Sequence, residues 1–235
     1  LLTLSARVDG SSRFGENNRY GFFPAASAGW VLTEEDFLND MDFLSFLKLR
    51  ASYGVTGNAN ISNFPSLGLY SGISYAGASA LNPTQTPNPD LKWETTKQFD
   101  IGIDFGFLDD RINGQIDYYQ KKTTDLLLDV NVPGTTGYAT QLRNVGKLEN
   151  KGLEFVLNSV NVTGKFTWSS SFNIAFNRNK ITDLDGQILE GGYVNRAVEG
   201  EPIGVFYTYE FAGANPANGD ALFYLNHEPT NAEIN

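Results

Sequence analysis

One run of nine residues limits what this chain can become. In Phe99-Asp100-Ile101-Gly102-Ile103-Asp104-Phe105-Gly106-Phe107 every odd position is large and apolar, and every even one is Asp or Gly. A period of two is the signature of a strand with two unlike faces. The pattern recurs. Phe166, Trp168, Phe172, Ile174 and Phe176 alternate with Thr167, Ser169, Ser171, Asn173 and Asn177. Leu47, Leu49, Ala51, Tyr53 and Val55 alternate with Lys48, Arg50, Ser52, Gly54 and Thr56. Leu2–Val8, Phe23–Leu32, Ile112–Lys121 and Leu153–Asn158 behave alike, and Ile203–Phe211 is a weaker eighth candidate. The expected fold class is all-β and antiparallel.

The connections sort by length. Residues 108–111 and 162–165 are tight polar turns. Residues 57–95, 123–150 and 178–202 are long and rich in Asn, Ser, Gly and Pro. A soluble sandwich has no reason to sort its loops; a membrane barrel has short turns at one end and long loops at the other. The link between the second and third strands, Thr33-Glu34-Glu35-Asp36 with Phe37, Met41 and Leu44 at helical spacing, predicts a short α-helix opened by a capping box. If the strands alternate in direction, Trp30, Phe107 and Trp168 all lie near the short-turn end, as an aromatic girdle at a membrane interface requires.

Composition narrows function. Seventeen basic against 27 acidic residues give a net charge of −10, which argues against a nucleic-acid partner. There is no cysteine and one histidine, His227, which we read as exposed in a polar tail. A thiolate metal site or nucleophile is therefore absent, and a His-based zinc site or catalytic triad would rest on His227 alone. Asp183-x-Asp185-Gly186 and Asn218-Gly219-Asp220 contain fragments of a calcium loop without its remaining ligands. Asx turns are the simpler reading, and no metal or cofactor is expected. The carboxylate pairs Asp109-Asp110 and Glu34-Glu35 fit a turn and a helix start, so no catalytic residue is assigned. Leu1-Leu2-Thr3-Leu4 enters in mid-strand, and we read the chain as an internal piece of something longer.

Several stretches also resemble a known family. They are Arg19-Tyr20-Gly21-Phe22-Phe23-Pro24 with Ser27-Ala28-Gly29-Trp30; Leu47-Lys48-Leu49-Arg50-Ala51-Ser52-Tyr53-Gly54; Asn88-Pro89-Asp90-Leu91-Lys92-Trp93-Glu94; Lys121-Lys122-Thr123-Thr124-Asp125-Leu126-Leu127; and Asn150-Lys151-Gly152-Leu153-Glu154. Together, in this order, they resemble the barrel of SusC/RagA-type TonB-dependent outer-membrane transporters of Bacteroidetes-type Gram-negative bacteria. The resemblance implies a 22-stranded barrel, of which residues 1–211 would supply seven or eight strands. Residues 212–235 would be a truncated extracellular loop. It further implies a plug domain outside this chain, TonB engaged through that missing part, a SusD-like surface lipoprotein as partner, outer-membrane lipid around the wall, and oligosaccharide or peptide cargo.

On this reading Arg7, Lys48, Arg50, Asp100, Asp104, Asp117, Tyr119 and Glu154 face the lumen or plug, as structural lining or as direct cargo contacts. Tyr70, Tyr75, Trp93 and Tyr138, set among Asn, Thr and Ser in the long loops, are candidates for recognition of cargo or partner. Three alternatives stay open at this point: a passive porin-like barrel, a soluble carbohydrate-binding β-sandwich, and a polysaccharide-cleaving enzyme.

Overall fold

The computed structural model describes residues 1–38, 41–186, 189–190 and 194–224. The strands, in chain order, are β1 (Leu2–Gly10), β2 (Tyr20–Val31), β3 (Leu44–Asn58), β4 (Leu69–Tyr75), β5 (Ala78–Gln85), β6 (Glu94–Phe107), β7 (Ile112–Thr124), β8 (Leu127–Asn131), β9 (Thr140–Asn144), β10 (Lys147–Val162) and β11 (Trp168–Asp183). Short strands follow: β12 (Leu189–Glu190), β13 (Asn195–Ala197), β14 (Val205–Phe206), β15 (Phe211–Ala214) and β16 (Ala221–Phe223).

Seven strands make one sheet in the order β1-β2-β3-β6-β7-β10-β11, each antiparallel to its neighbours. The sheet is open in this chain. Hairpins β4–β5 and β8–β9 rise from the two longest connections, at the same end of the sheet as the β1–β2 link. The links β2–β3, β6–β7 and β10–β11 lie at the other end. The segment 203–211 does not join the wall: β14 pairs with β13, and β15 with β16. His227 lies outside the described residues.

One expectation needs correction. The 33–36 region forms two 3₁₀ turns, Leu32–Glu34 and Asp36–Leu38, and no α-helix. The capping box is not made: its Thr33 hydroxyl is engaged by β3, and Glu35, inside the box but not one of its two capping groups, holds the Trp30 indole. Thr33 Oγ1 accepts the Leu47 N–H at 3.4 Å, and Glu35 Oε1 accepts the Trp30 indole N–H at 2.8 Å. The strands also run further than the alternation indicated. β10 begins at Lys147 and β11 ends at Asp183, because their upper halves carry charged residues on the face that is apolar below.

Among the described residues no second layer covers the sheet. Leu2, Leu4, Phe22, Ile101, Leu153, Phe172 and Phe176 are 48–72% exposed, all on one face. Total accessible surface is 16437 Å², against about 10,500 Å² for a compact monomer of this mass. A sandwich would have buried that face, so the soluble-sandwich alternative fails here. Among the described residues the buried apolar side chains are Phe14, Phe23, Leu91, Val130, Ile181 and Leu184. They gather at the long-loop end, not beneath the sheet.

Register arranges the exposed face. One ladder row runs Trp30, Leu49, Ile103, Ile116, Phe155, Ile174. Phe107 stands four positions from this row toward the short-turn end on β6, and Trp168 six on β11. From Trp30 to Trp168 the aromatic series therefore descends six positions across five strand-to-strand steps, with Phe107 one to two positions below the straight line between them. Eight positions above each member stands another aromatic, Phe22, Phe99 and Phe176. The face thus carries two parallel aromatic lines, both oblique to the hydrogen-bond rows.

Candidate functional site: polar inner face and long-loop crown

The opposite face of the sheet is polar and internally bonded. Three consecutive rows cross it: Lys48 with Asp104; Arg50, Gly102, Asp117, Glu154; and Ser52, Asp100, Tyr119, Gly152, Asn177. Seven of the eight inward candidates converge here, and Arg7 stands apart on β1. Arg50 Nε donates to Asp104 Oδ1 at 2.9 Å, and its other arm reaches the Asp117 carboxylate at 2.7 Å. Lys48 Nζ lies 3.9 Å from Asp104. Asp100 accepts from Ser52 Oγ at 3.2 Å and from Gln98 Nε2 at 3.0 Å. Glu154 is exposed beside Asp117 in the ladder. Arg7 pairs with Asp9 at 2.8 Å and lies 5.8 Å from the Phe23 ring centroid.

Two glycines make these bridges possible. Arg50 and Asp117 sit on strands separated by β6, roughly 9.6 Å apart at normal strand spacing. The residue between them is Gly102, where an added Cβ would run into Asp117 Oδ1 and lie 2.8 Å from Arg50 Cζ. The device repeats. Tyr119 Oη on β7 crosses Gly152 on β10 to donate to Asn177 Oδ1 on β11 at 3.0 Å, and a Cβ on Gly152 would sit 2.7 Å from that hydroxyl. A glycine in mid-strand often marks such close approach. That signal is present in the sequence, where Gly102 falls inside an alternating strand and Gly152 at the start of another.

At the long-loop end, Asn88–Glu94, part of the β3–β6 connection, clasps the two other connections. Leu91, 0% exposed, gives its carbonyl to Gly15 N–H, and the Asp90 carbonyl takes Asn18 Nδ2. Trp93 packs on Phe14 and Phe23, at 4.9 and 5.4 Å between centroids, and its indole N–H donates to Arg19 O. From the β7–β10 connection, Asn144 Oδ1 accepts Lys92 N–H at 2.8 Å while its Nδ2 donates to Lys92 O at 2.7 Å. Asn88 Nδ2 donates to Leu142 O, and Lys92 Nζ pairs with Asp125 at 3.0 Å. Trp93 is thus engaged in packing, whereas Tyr70 and Tyr75 stand 66% and 74% exposed on β4. Tyr138, half-buried, follows left-handed Gly137 near the β8–β9 tip. Between the hairpins an open cavity of about 370 Å³ is lined by Ile61, Ser62, Gln85, Asp129, Gln141 and neighbours.

The carboxylates with calcium-loop spacing have other partners. Asp183 takes Lys147 Nζ at 2.8 Å and the Asp185 N–H at 3.0 Å. Asp220 accepts Asn218 Nδ2 at 2.7 Å.

The sequence model described as TonB dependent receptor-like, beta-barrel matches residues 1–225. The chain belongs to this family. It is 42% identical over 228 residues to TonB-dependent receptor P3 of Formosa agariphila, covering 91% of this chain and 23% of that receptor. It is 45% identical over 196 residues to TonB-dependent receptor SusC of Bacteroides thetaiotaomicron, covering 79% and 20%. Among solved structures, the RagAB peptide transporter superposes with a TM-score of 0.89 at 32% identity, covering 99% of this chain and 26% of that one. The chain therefore spans about a quarter or less of the length of these relatives. The SusC/RagA resemblance read in the residues holds, and the family is one of transporters, not enzymes.

Proposed function

We propose that this chain is a stretch of wall in an outer-membrane active transporter that imports a nutrient, an oligosaccharide or a peptide. The observation that carries the reading is the pair of oblique aromatic lines. If both lie level with the membrane, six positions over five inter-strand steps, taken from the end members, correspond to a strand tilt of about 40° at 3.3 Å rise and 4.8 Å spacing. Membrane barrels tilt by about 35–45°. Eight positions at that tilt separate the lines by roughly 20 Å, close to the ~25 Å apolar band of outer-membrane barrels. An arrangement made for water has no reason to meet both numbers.

The inner face then meets the plug domain of the full protein. Four carboxylates and two cations in three rows favour a plug surface carrying Lys or Arg, and Glu154, without a cation beside it in the ladder, is the first candidate for such a contact. The crown, with Tyr70, Tyr75 and Tyr138 and the cavity beside Asp129, is the surface for cargo and for a SusD-like lipoprotein. The RagAB structures, those of a peptide importer and transporter, support the peptide arm, and the lipoprotein pairing is what the SusC/RagA resemblance implies.

The test uses the full-length protein in its own cells. Uptake of labelled oligopeptides and oligosaccharides is compared between parent and deletion strain, with and without a protonophore. Uptake lost on deletion and on collapse of the proton gradient supports active import. Uptake indifferent to the protonophore would establish the passive porin-like alternative.

A further inference from the structure

The outward face changes character directly above the upper aromatic line. Two ladder rows there read Tyr53, Phe99, Gln120, Lys151, Arg178 and Val55, Lys97, Lys122, Glu149, Lys180. They hold five cations and one carboxylate, in a chain whose net charge is −10. All five cations are exposed. Lys97 faces Lys122 directly across the ladder, and Lys151 faces Arg178. Like charges directly opposite destabilise a sheet. Glu149 is shared, 3.9 Å from Lys122 and 3.5 Å from Lys151, and so leaves most of the repulsion in place. The patch spans four strands, roughly 14 Å by 7 Å at normal strand dimensions.

We propose that this patch binds the phosphorylated headgroups of the lipid leaflet on the long-loop side. The inference rests on the reading that the apolar face contacts lipid. The cations point away from the inner face, so neither cargo passing inside nor the plug can reach them. They continue the apolar band upward, with aliphatic stems on its edge and charged heads at headgroup depth. A phosphate between Lys97 and Lys122, and another between Lys151 and Arg178, would turn two repulsive pairs into two anion sites.

The full-length protein in detergent is titrated with a diphosphorylated glycolipid (diphosphoryl lipid A), its dephosphorylated form, phosphatidylcholine and inorganic phosphate, with binding read by native mass spectrometry. The parent is expected to retain the diphosphorylated lipid selectively. The double variant Lys97→Gln/Lys151→Gln should bind it about 30-fold more weakly, and Lys165→Gln, in a short turn at the opposite end, as well as the parent. Equal retention by the double variant and parent would overturn the proposal. So would inorganic phosphate competing at equal concentration, which would make the patch a site for free anion and not for lipid. Heat-shifted electrophoretic mobility is recorded on every sample. Its loss in the parent would sink the membrane-barrel reading itself, whereas its retention with no phosphate preference would sink this inference alone.

Discussion

Arg50 and Asp117, 67 residues apart in the chain, meet at 2.7 Å over the bare backbone of Gly102. The bond ties β3 to β7 across an intervening strand, so it braces the sheet against shear where hydrogen-bond ladders only pair neighbours. Gly102→Ala should break it by steric exclusion and cost about 1–3 kcal/mol, the usual range for overpacking. Asp117→Asn should cost about 1–2 kcal/mol, because a charge-assisted bond becomes a weaker one. Denaturant unfolding of the full barrel in detergent measures both. In the double variant the losses should fall well short of additive, since both remove the same contact. Full additivity would mean that the bridge contributes nothing.

The aromatic lines assign depth residue by residue. Ile103 is midway between Phe99 and Phe107, while Ile112 pairs with Phe107 on the lower line. Ile103→Arg should destabilise the inserted barrel by about 2–4 kcal/mol, and Ile112→Arg by about 0–1 kcal/mol. Refolding equilibria into lipid vesicles give both values. Equal penalties at the two positions would show that the lines do not mark the membrane boundaries.

Leu91 is the buried centre of the crown. Leu91→Ala should cost about 2–5 kcal/mol locally and free the 11–19 and 125–146 connections together, because both hang on the Asn88–Glu94 segment. Limited proteolysis would reveal it as simultaneous nicking in the two stretches. Trp93→Phe, which keeps an aromatic ring but removes the pyrrole half of the indole and its bond to Arg19 O, should cost less, about 1–3 kcal/mol.

The Lys147–Asp183 pair closes the top of β10 and β11 beyond the apolar band. The Lys147 ammonium, and then the Asp185 N–H, hold the Asp183 carboxyl below its ordinary value of 3.8, and the same bond raises Lys147 above 10.5. A depressed carboxyl contributes stability that is complete above 3.8 and is lost as pH falls through the lower folded value. The raised ammonium contributes below 10.5 and is lost as pH rises through its own. Pepsin nicking after Asp183 should therefore rise in the parent, relative to Asp183→Asn, as pH falls from 4 to 2. A constant ratio between the two proteins would show that the pair does not hold the strands closed.

Alternation along Phe99–Phe107 was enough to tell which side chains share a face, because a strand turns its Cβ atoms over at every step. The same period separated Arg50, Asp117 and Glu154 from Leu49, Ile116 and Leu153. Loop length told which strand ends gather, and the ordered blocks from Arg19 to Glu154 told the family. The capping box at 33–36 misled, because the Thr33 hydroxyl takes the N–H of Leu47, a residue 14 positions on that only the folding of the β2–β3 link brings near.

Register lay beyond the sequence. Whether Arg50 stands opposite Gly102 or one pair away depends on how the 57–95 connection folds and clasps its neighbours, a sum of contacts among residues far apart in the chain. The slope of the aromatic lines follows from that register together with those of the other strand pairs, the crossing at Gly152 from the β7–β10 and β10–β11 registers, and the facing of Lys97 with Lys122 from the tight turn that closes β6 and β7. A face is a property of one strand and can be read along it. A row belongs to six or seven strands at once, and only their packing decides which residues share it.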